Sequence, residues 1–166
     1  MTTVPRDMQR REFTHSIRST LLSDRVRFGL LPLVARLLVT SEFLIAVRGK
    51  TFGWSGQAGY MQSKGMTLIV PLLAVALFIE AVGSLCLITG YRARTAAAIM
   101  FFYLGIVSVR LHAFWSETGR VSGADQTEFF KNLGMMGCLL MISVYGPGRW
   151  ALGAKLNHPE QGGAEG

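Results

Sequence analysis

Four apolar runs, each close to the length needed to cross a bilayer, constrain this chain more than anything else in it. They cover residues 28–47, 67–89, 95–115 and 129–145. A spanning helix takes about 20 mostly apolar residues. A soluble helical domain of this size has too little polar surface to cover four such runs. Only 16% of its 166 residues are charged, against about 25% in typical soluble domains. Mean hydropathy is positive, at +0.35. The expected fold is therefore all-α, an integral membrane bundle of four transmembrane helices. High hydrophobicity and low charge exclude intrinsic disorder, and two cysteines exclude a disulfide scaffold.

Charge outside the runs sets an expected orientation. Cations crowd the N-terminal segment (Arg6, Arg10, Arg11, Arg18, Arg25, Arg27), the 90–94 turn (Arg92, Arg94) and the tail (Arg149, Lys155). The 48–66 loop carries Arg48, Lys50 and Lys64, and the 116–128 loop carries Arg120. The positive-inside rule then puts both termini in the cytoplasm and the two longer loops outside. The net charge of +7 reads as contact with anionic lipid. No zinc-finger, RNP-like or helix-turn-helix pattern accompanies it, which argues against nucleic acid as a partner.

The organisation follows in three parts. Residues 1–27 form a basic amphipathic segment. Phe13, Ile17 and Leu21 lie on one helical face, with Arg11, Arg18 and Arg25 on another. Residues 9–13 faintly resemble a twin-arginine signal. The next run is long, contains Arg36 and Glu42, and lacks a small-residue cleavage site, so the segment is expected to be retained. Residues 28–153 form the helical domain, and 154–166 a polar, Gly-rich, disordered tail.

Ionisable side chains inside spans are costly and need a partner or a wet cavity. Four stand clearly inside the runs: Arg36, Glu42, Glu80 and Arg110. At ~1.5 Å per residue from the inner ends, Arg36 lies about 12 Å deep and Glu80 about 13–14 Å. Glu42 and Arg110 both come out near 21–22 Å on the same count. The expected pairs are Arg36 with Glu80 and Glu42 with Arg110. They serve either to fix helix register or to relay a proton.

Near the outer face, Lys50, His112, Trp115, Lys131 and Asn132 form a second candidate cluster. Asp125, Gln126 and Glu128 precede the fourth run, and Trp54, Tyr60, Phe114 and Trp115 suit an interfacial aromatic belt. Singly, such residues snorkel, anchor or cap. Together they would line a cationic pocket for an anion or a quinone head group, with His112 as its most chemically versatile member. Cys86 and Cys138 lie in different runs without a CxxC spacing. There is no P-loop, no GxGxxG after a strand and no HExxH. No metal site is expected, and no catalytic residue is assigned. Any electrons would come from a partner.

An ordered set of motifs resembles the DoxX family of small four-helix bacterial membrane proteins, over residues 33–152. Arg36, Leu37 and Leu38 are followed by Gly49 and Lys50. Gly59, Tyr60, Met61 and Gly65 occupy the loop. Pro71, Glu80, Gly83, Leu87 and Gly90 mark the second run, and His112, Ala113, Phe114 and Trp115 end the third. Phe130, Lys131, Asn132 and Leu133 open the fourth, closed by Gly146, Pro147 and Gly148. Two departures stand out. The family's small Ser-Gly pair in the first helix reads Ala46 and Val47, and its S-L-D after G-P-G reads Ala151, Leu152 and Gly153. Glu42 and Arg110 lie outside the pattern.

The resemblance implies a multi-pass protein of the bacterial inner membrane, in a family with a branch that forms the membrane part of a thiosulfate:quinone oxidoreductase. Family membership alone does not carry a reaction. The leading reading is a small membrane subunit of a redox complex that anchors a protein partner and contributes a quinone or anion site near the outer face. Quinone is the candidate cofactor, bound non-covalently. The rivals are a non-catalytic scaffold or assembly factor and a carrier of small anions or metabolites.

Overall fold

A computed structural model describes residues 25–116 and 123–152. Most of the expected basic N-terminal segment and the whole of the expected 154–166 tail lie outside the described residues. The chain enters through a π-helical turn, Val26–Leu30, that runs into α1, Leu31–Phe52. A short helix α2, Trp54–Ser63, follows. Three long helices complete the order: α3, Ile69–Thr89; α4, Ala93–Leu111; and α5, Gly123–Tyr145, with a 3₁₀ turn at Phe114–Ser116 between the last two.

The long helices form a ring in which α1 packs on α3, α3 on α4, α4 on α5, and α5 back on α1. Neighbours run antiparallel: the α1 end with Arg36 meets the end of α3, and the start of α4 meets the end of α5 through Arg94 and Tyr145. α1 and α4 lie diagonally across the ring. α2 rests on α1 and α3. The 48–66 stretch, expected as a loop, is thus largely helical: residues 48–52 end α1, and the ten residues of α2 follow. It carries no strong apolar stripe and contains Gly56 and Gly59, poor helix formers. Its packing, centred on buried Met61, holds it in place.

The interior is built from Val39 and Phe43 of α1, Leu87 of α3, Leu139 and Ile142 of α5, and a face of α4. That face, Ala93, Ala96, Ala97, Met100, Leu104 and Ser108, recurs every three or four residues and is buried throughout. Its alanines let the backbones approach closely, as small residues do where helices associate in lipid. The outer surface is the reverse of a soluble protein's. Leu38, Ile45, Phe78, Leu85, Phe102, Ile106 and Val144 are exposed, while Arg36, Thr40, Glu80, Ser84, Ser108, Asp125 and Asn132 are buried. Contiguous apolar exposure on that scale marks a lipid- or partner-facing surface.

Three helical stretches, Val26–Phe52, Ile69–Thr89 and Ala93–Leu111, are long and apolar enough to cross a bilayer. α5 is 23 residues long, but its first part carries Asp125, Glu128 and Lys131. The segment after α5 straps the end of the bundle where α1 begins and α3 ends. Arg149 N–H donates to Phe28 O (2.7 Å) and Leu152 N–H to Thr89 O (2.9 Å). The turn out of α3 needs Gly90, whose φ is +77° and whose missing Cβ would meet Ala151 and the Arg36 guanidinium.

Candidate functional site

Helical side chains leave the backbone tilted toward their own helix N-terminus. In antiparallel neighbours this sends facing side chains in opposite directions. Arg36 therefore leans toward the end of the bundle where α1 begins and Glu80 toward the opposite end. They diverge, although their Cα atoms lie at similar depth. The expected Arg36–Glu80 pair does not form. Arg36, fully buried, donates instead to Leu87 O (2.9 Å), Ile88 O (3.2 Å) and Trp150 O (2.8 Å). These carbonyls include the unsatisfied ones at the end of α3, where a cation also favours the helix dipole.

Lys50 lies fourteen residues further along α1 and leans inward, toward Glu80. Its Nζ donates to both Glu80 carboxylate oxygens at 2.8 Å. Tyr103 of α4 donates to Glu80 Oε1 at 2.6 Å. The buried triad thus ties three helices together. Sequence reading found Lys50 and Glu80 but placed them in different groups, because a count of Cα depth ignores side-chain direction and the reach of lysine.

The Glu42–Arg110 pair is also absent. Glu42 sits on α1, diagonal to α4, and meets Lys131 of α5 at 3.5 Å. Lys131 pairs more closely with Glu128, at 2.7 Å. Arg110 is exposed and makes no hydrogen bond or ion pair among the described residues.

The five side chains expected to line one outer pocket are divided among different groups. Lys50 belongs to the buried triad and Lys131 to the half-exposed pair of carboxylates. Trp115 stacks edge-on against Phe114 and Phe129. Asn132 is buried on α5. His112 enters a different cluster.

That cluster is the densest polar site of the molecule's α2 side. Asp125, in the first turn of α5, is buried and faces three other side chains. Lys64 Nζ donates to Oδ2 at 2.6 Å, and Tyr60 Oη donates to Oδ1 at 2.9 Å. His112 Nδ1 lies 3.1 Å from the same Oδ1. That contact assigns the Nδ1 proton, with His112 as donor. The lysine hydrogen bond, aided by His112 and Tyr60 against the opposing effect of burial, holds the Asp125 carboxyl well below the usual carboxylate range. The helix N-terminus favours the same ionised form. In the sequence Tyr60 stands only as an aromatic-belt and loop residue and Lys64 only as a loop cation, neither as a site residue. Their i, i+4 spacing would have put them on one helical face, had 54–63 been read as a helix.

An inverted surface and three bilayer-length apolar helices define a multi-pass integral membrane protein. The DoxX family model matches residues 31–113, half of the chain, and the SURF4 family model matches residues 73–157. The chain is 29% identical over 120 residues to the inner membrane protein YphA of Escherichia coli (strain K12), covering 72% of this chain and 86% of that one. It is 29% identical over 125 residues to the inner membrane protein YqjF of the same organism, covering 75% of this chain and 91% of that one. No solved structure matches it. The chain belongs to the DoxX family and is a multi-pass protein of the inner membrane.

Proposed function

We propose that the protein is the membrane subunit of a quinone-linked redox complex, with the Tyr60–His112–Asp125 cluster as the proton-exchanging end of its quinone site. α5 supplies a fourth crossing over residues 129–145, where Lys131 is the only Asp, Glu, Lys or Arg. Both termini then face the cytoplasm, and the cluster faces outward. One observation carries the reading: His112 and Tyr60 both bond to one oxygen of an ionised, buried Asp125.

A carboxylate on Nδ1 fixes the tautomer and orientation of the imidazole, leaving Nε2 to take and give protons. Reduction of a quinone takes up two electrons and two protons and yields the quinol. A partner subunit supplies the electrons. His112, recharged from solvent, passes protons to the quinone oxygens. Lys64 keeps Asp125 ionised through the cycle. Trp115, Phe114 and Phe129 form an edge-stacked aromatic cluster next along the chain, a surface suited to a flat ring.

The test is to purify the full chain from native membranes in mild detergent, extract quinone, and identify co-purifying proteins. Stoichiometric quinone with an oxidoreductase partner is expected. His112→Ala and Asp125→Asn should deplete the quinone while leaving membrane yield intact. A stable partner with no quinone overturns the reading in favour of a scaffold or assembly factor. Solute uptake by the protein alone in liposomes would favour a carrier.

A further inference from the structure

Of Arg36, Glu42, Glu80 and Arg110, Arg110 is the one without a partner among the described residues. It stands at the end of an open groove of about 510 Å³ between α4 and α5. Phe102, Gly105, Ile106 and Val109 of α4 and Met136 of α5 line the groove. Gly105 shapes it: a Cβ there would press on Met136 Cε at 3.3 Å. Arg110 lies one residue before the end of α4, two before His112. The groove therefore runs from the membrane boundary inward.

The dimensions select an occupant. From Phe101 to Arg110 the helix rises ~13 Å, close to the ~15 Å of one leaflet of a ~30 Å hydrocarbon core. A guanidinium at the membrane boundary lies at the level of lipid head groups and pairs bidentately with phosphate. We propose that this groove retains one anionic phospholipid, an acyl chain lying along Phe102, Ile106 and Val109 and its phosphodiester on Arg110. A zwitterionic lipid offers the same phosphate, but its ammonium group opposes Arg110. Selectivity for net negative head groups follows. This site is separate from the proposed quinone site and stands without it.

Native mass spectrometry of the full chain in mild detergent tests the site. The probe is equimolar phosphatidylglycerol and phosphatidylethanolamine of matched acyl length. One phosphatidylglycerol should stay bound, preferred by about fivefold, the worth of one cation at an anionic surface. Arg110→Ala should abolish the preference, and Arg92→Ala, at the other end of α4, should not. Ile106→Trp fills the groove at an exposed position and should abolish retention with Arg110 in place, which decides the matter if Arg110→Ala fails to insert. Equal retention of the two lipids, or a preference that survives both groove variants, overturns the proposal. So does a lipid-free dimer of this chain that Ile106→Trp dissociates.

Discussion

At the scale of single residues, each buried charge owes its partner to side-chain direction. Glu80 accepts from Lys50 because, on antiparallel α1 and α3, residues offset in this direction lean toward each other, while Tyr103 reaches it from the neighbouring α4. Such a pair is best judged by breaking it. Lys50→Met should lower stability by about 3 kcal/mol, since it leaves an uncompensated buried carboxylate. Adding Glu80→Leu to that variant should recover most of the loss, because an apolar pair of similar volume replaces the ions at little net cost. Unfolding of the four proteins in mixed detergent checks this, and additive losses would rule out the pairing.

At the scale of elements, α3 and α4 approach closely where Gly83 faces Met100. A Cβ at Gly83 would fall on the Met100 thioether, which is fully buried. Gly83→Ala should therefore cost about 1–3 kcal/mol, the range for overpacking. Met100→Ala in the same chain should make the added methyl tolerable, so the pair should be strongly non-additive in a thermal melt. The strap formed by the 146–152 segment depends on Arg36, which bonds to the last turn of α3 and to Trp150 at once. Arg36→Met should cost about 3 kcal/mol, as hydrogen bonds to a charged group are lost. It should also expose the 146–152 segment to protease. A strap as resistant as in the wild type would show that the other contacts of Arg149 and Leu152 suffice.

At the scale of the whole molecule, the Asp125 cluster joins α2, the end of α4 and the start of α5. Its carboxyl is held low, so the folded state favours the ionised form. The resulting stability is complete above the ordinary aspartate value of about 3.9. It is lost as the pH falls below that, toward the folded value. Melting of the wild type should therefore weaken on acidification below about pH 4, and Asp125→Asn should flatten this part of the profile. An unchanged acid limb would separate the cluster from the stability of the fold.

Apolar run length by itself determined the class of fold, because backbone in lipid must bond internally and long apolar runs become helices. The ordered motifs determined the family, and Arg36, Lys50, Glu80, His112 and Asp125 already stood out as chemically unusual for their surroundings. Partnership was decided only in three dimensions. Depth counted along a helix treats a residue as a point at its Cα. Arginine and lysine reach several ångströms in a direction set by helix polarity. The same limit hid α2: its glycines and weak apolar pattern give no local signal, and packing on α1 and α3 makes it a helix. Tyr60 and Lys64 thus meet Asp125 through contacts distant in sequence, 65 and 61 residues away, which no local pattern encodes.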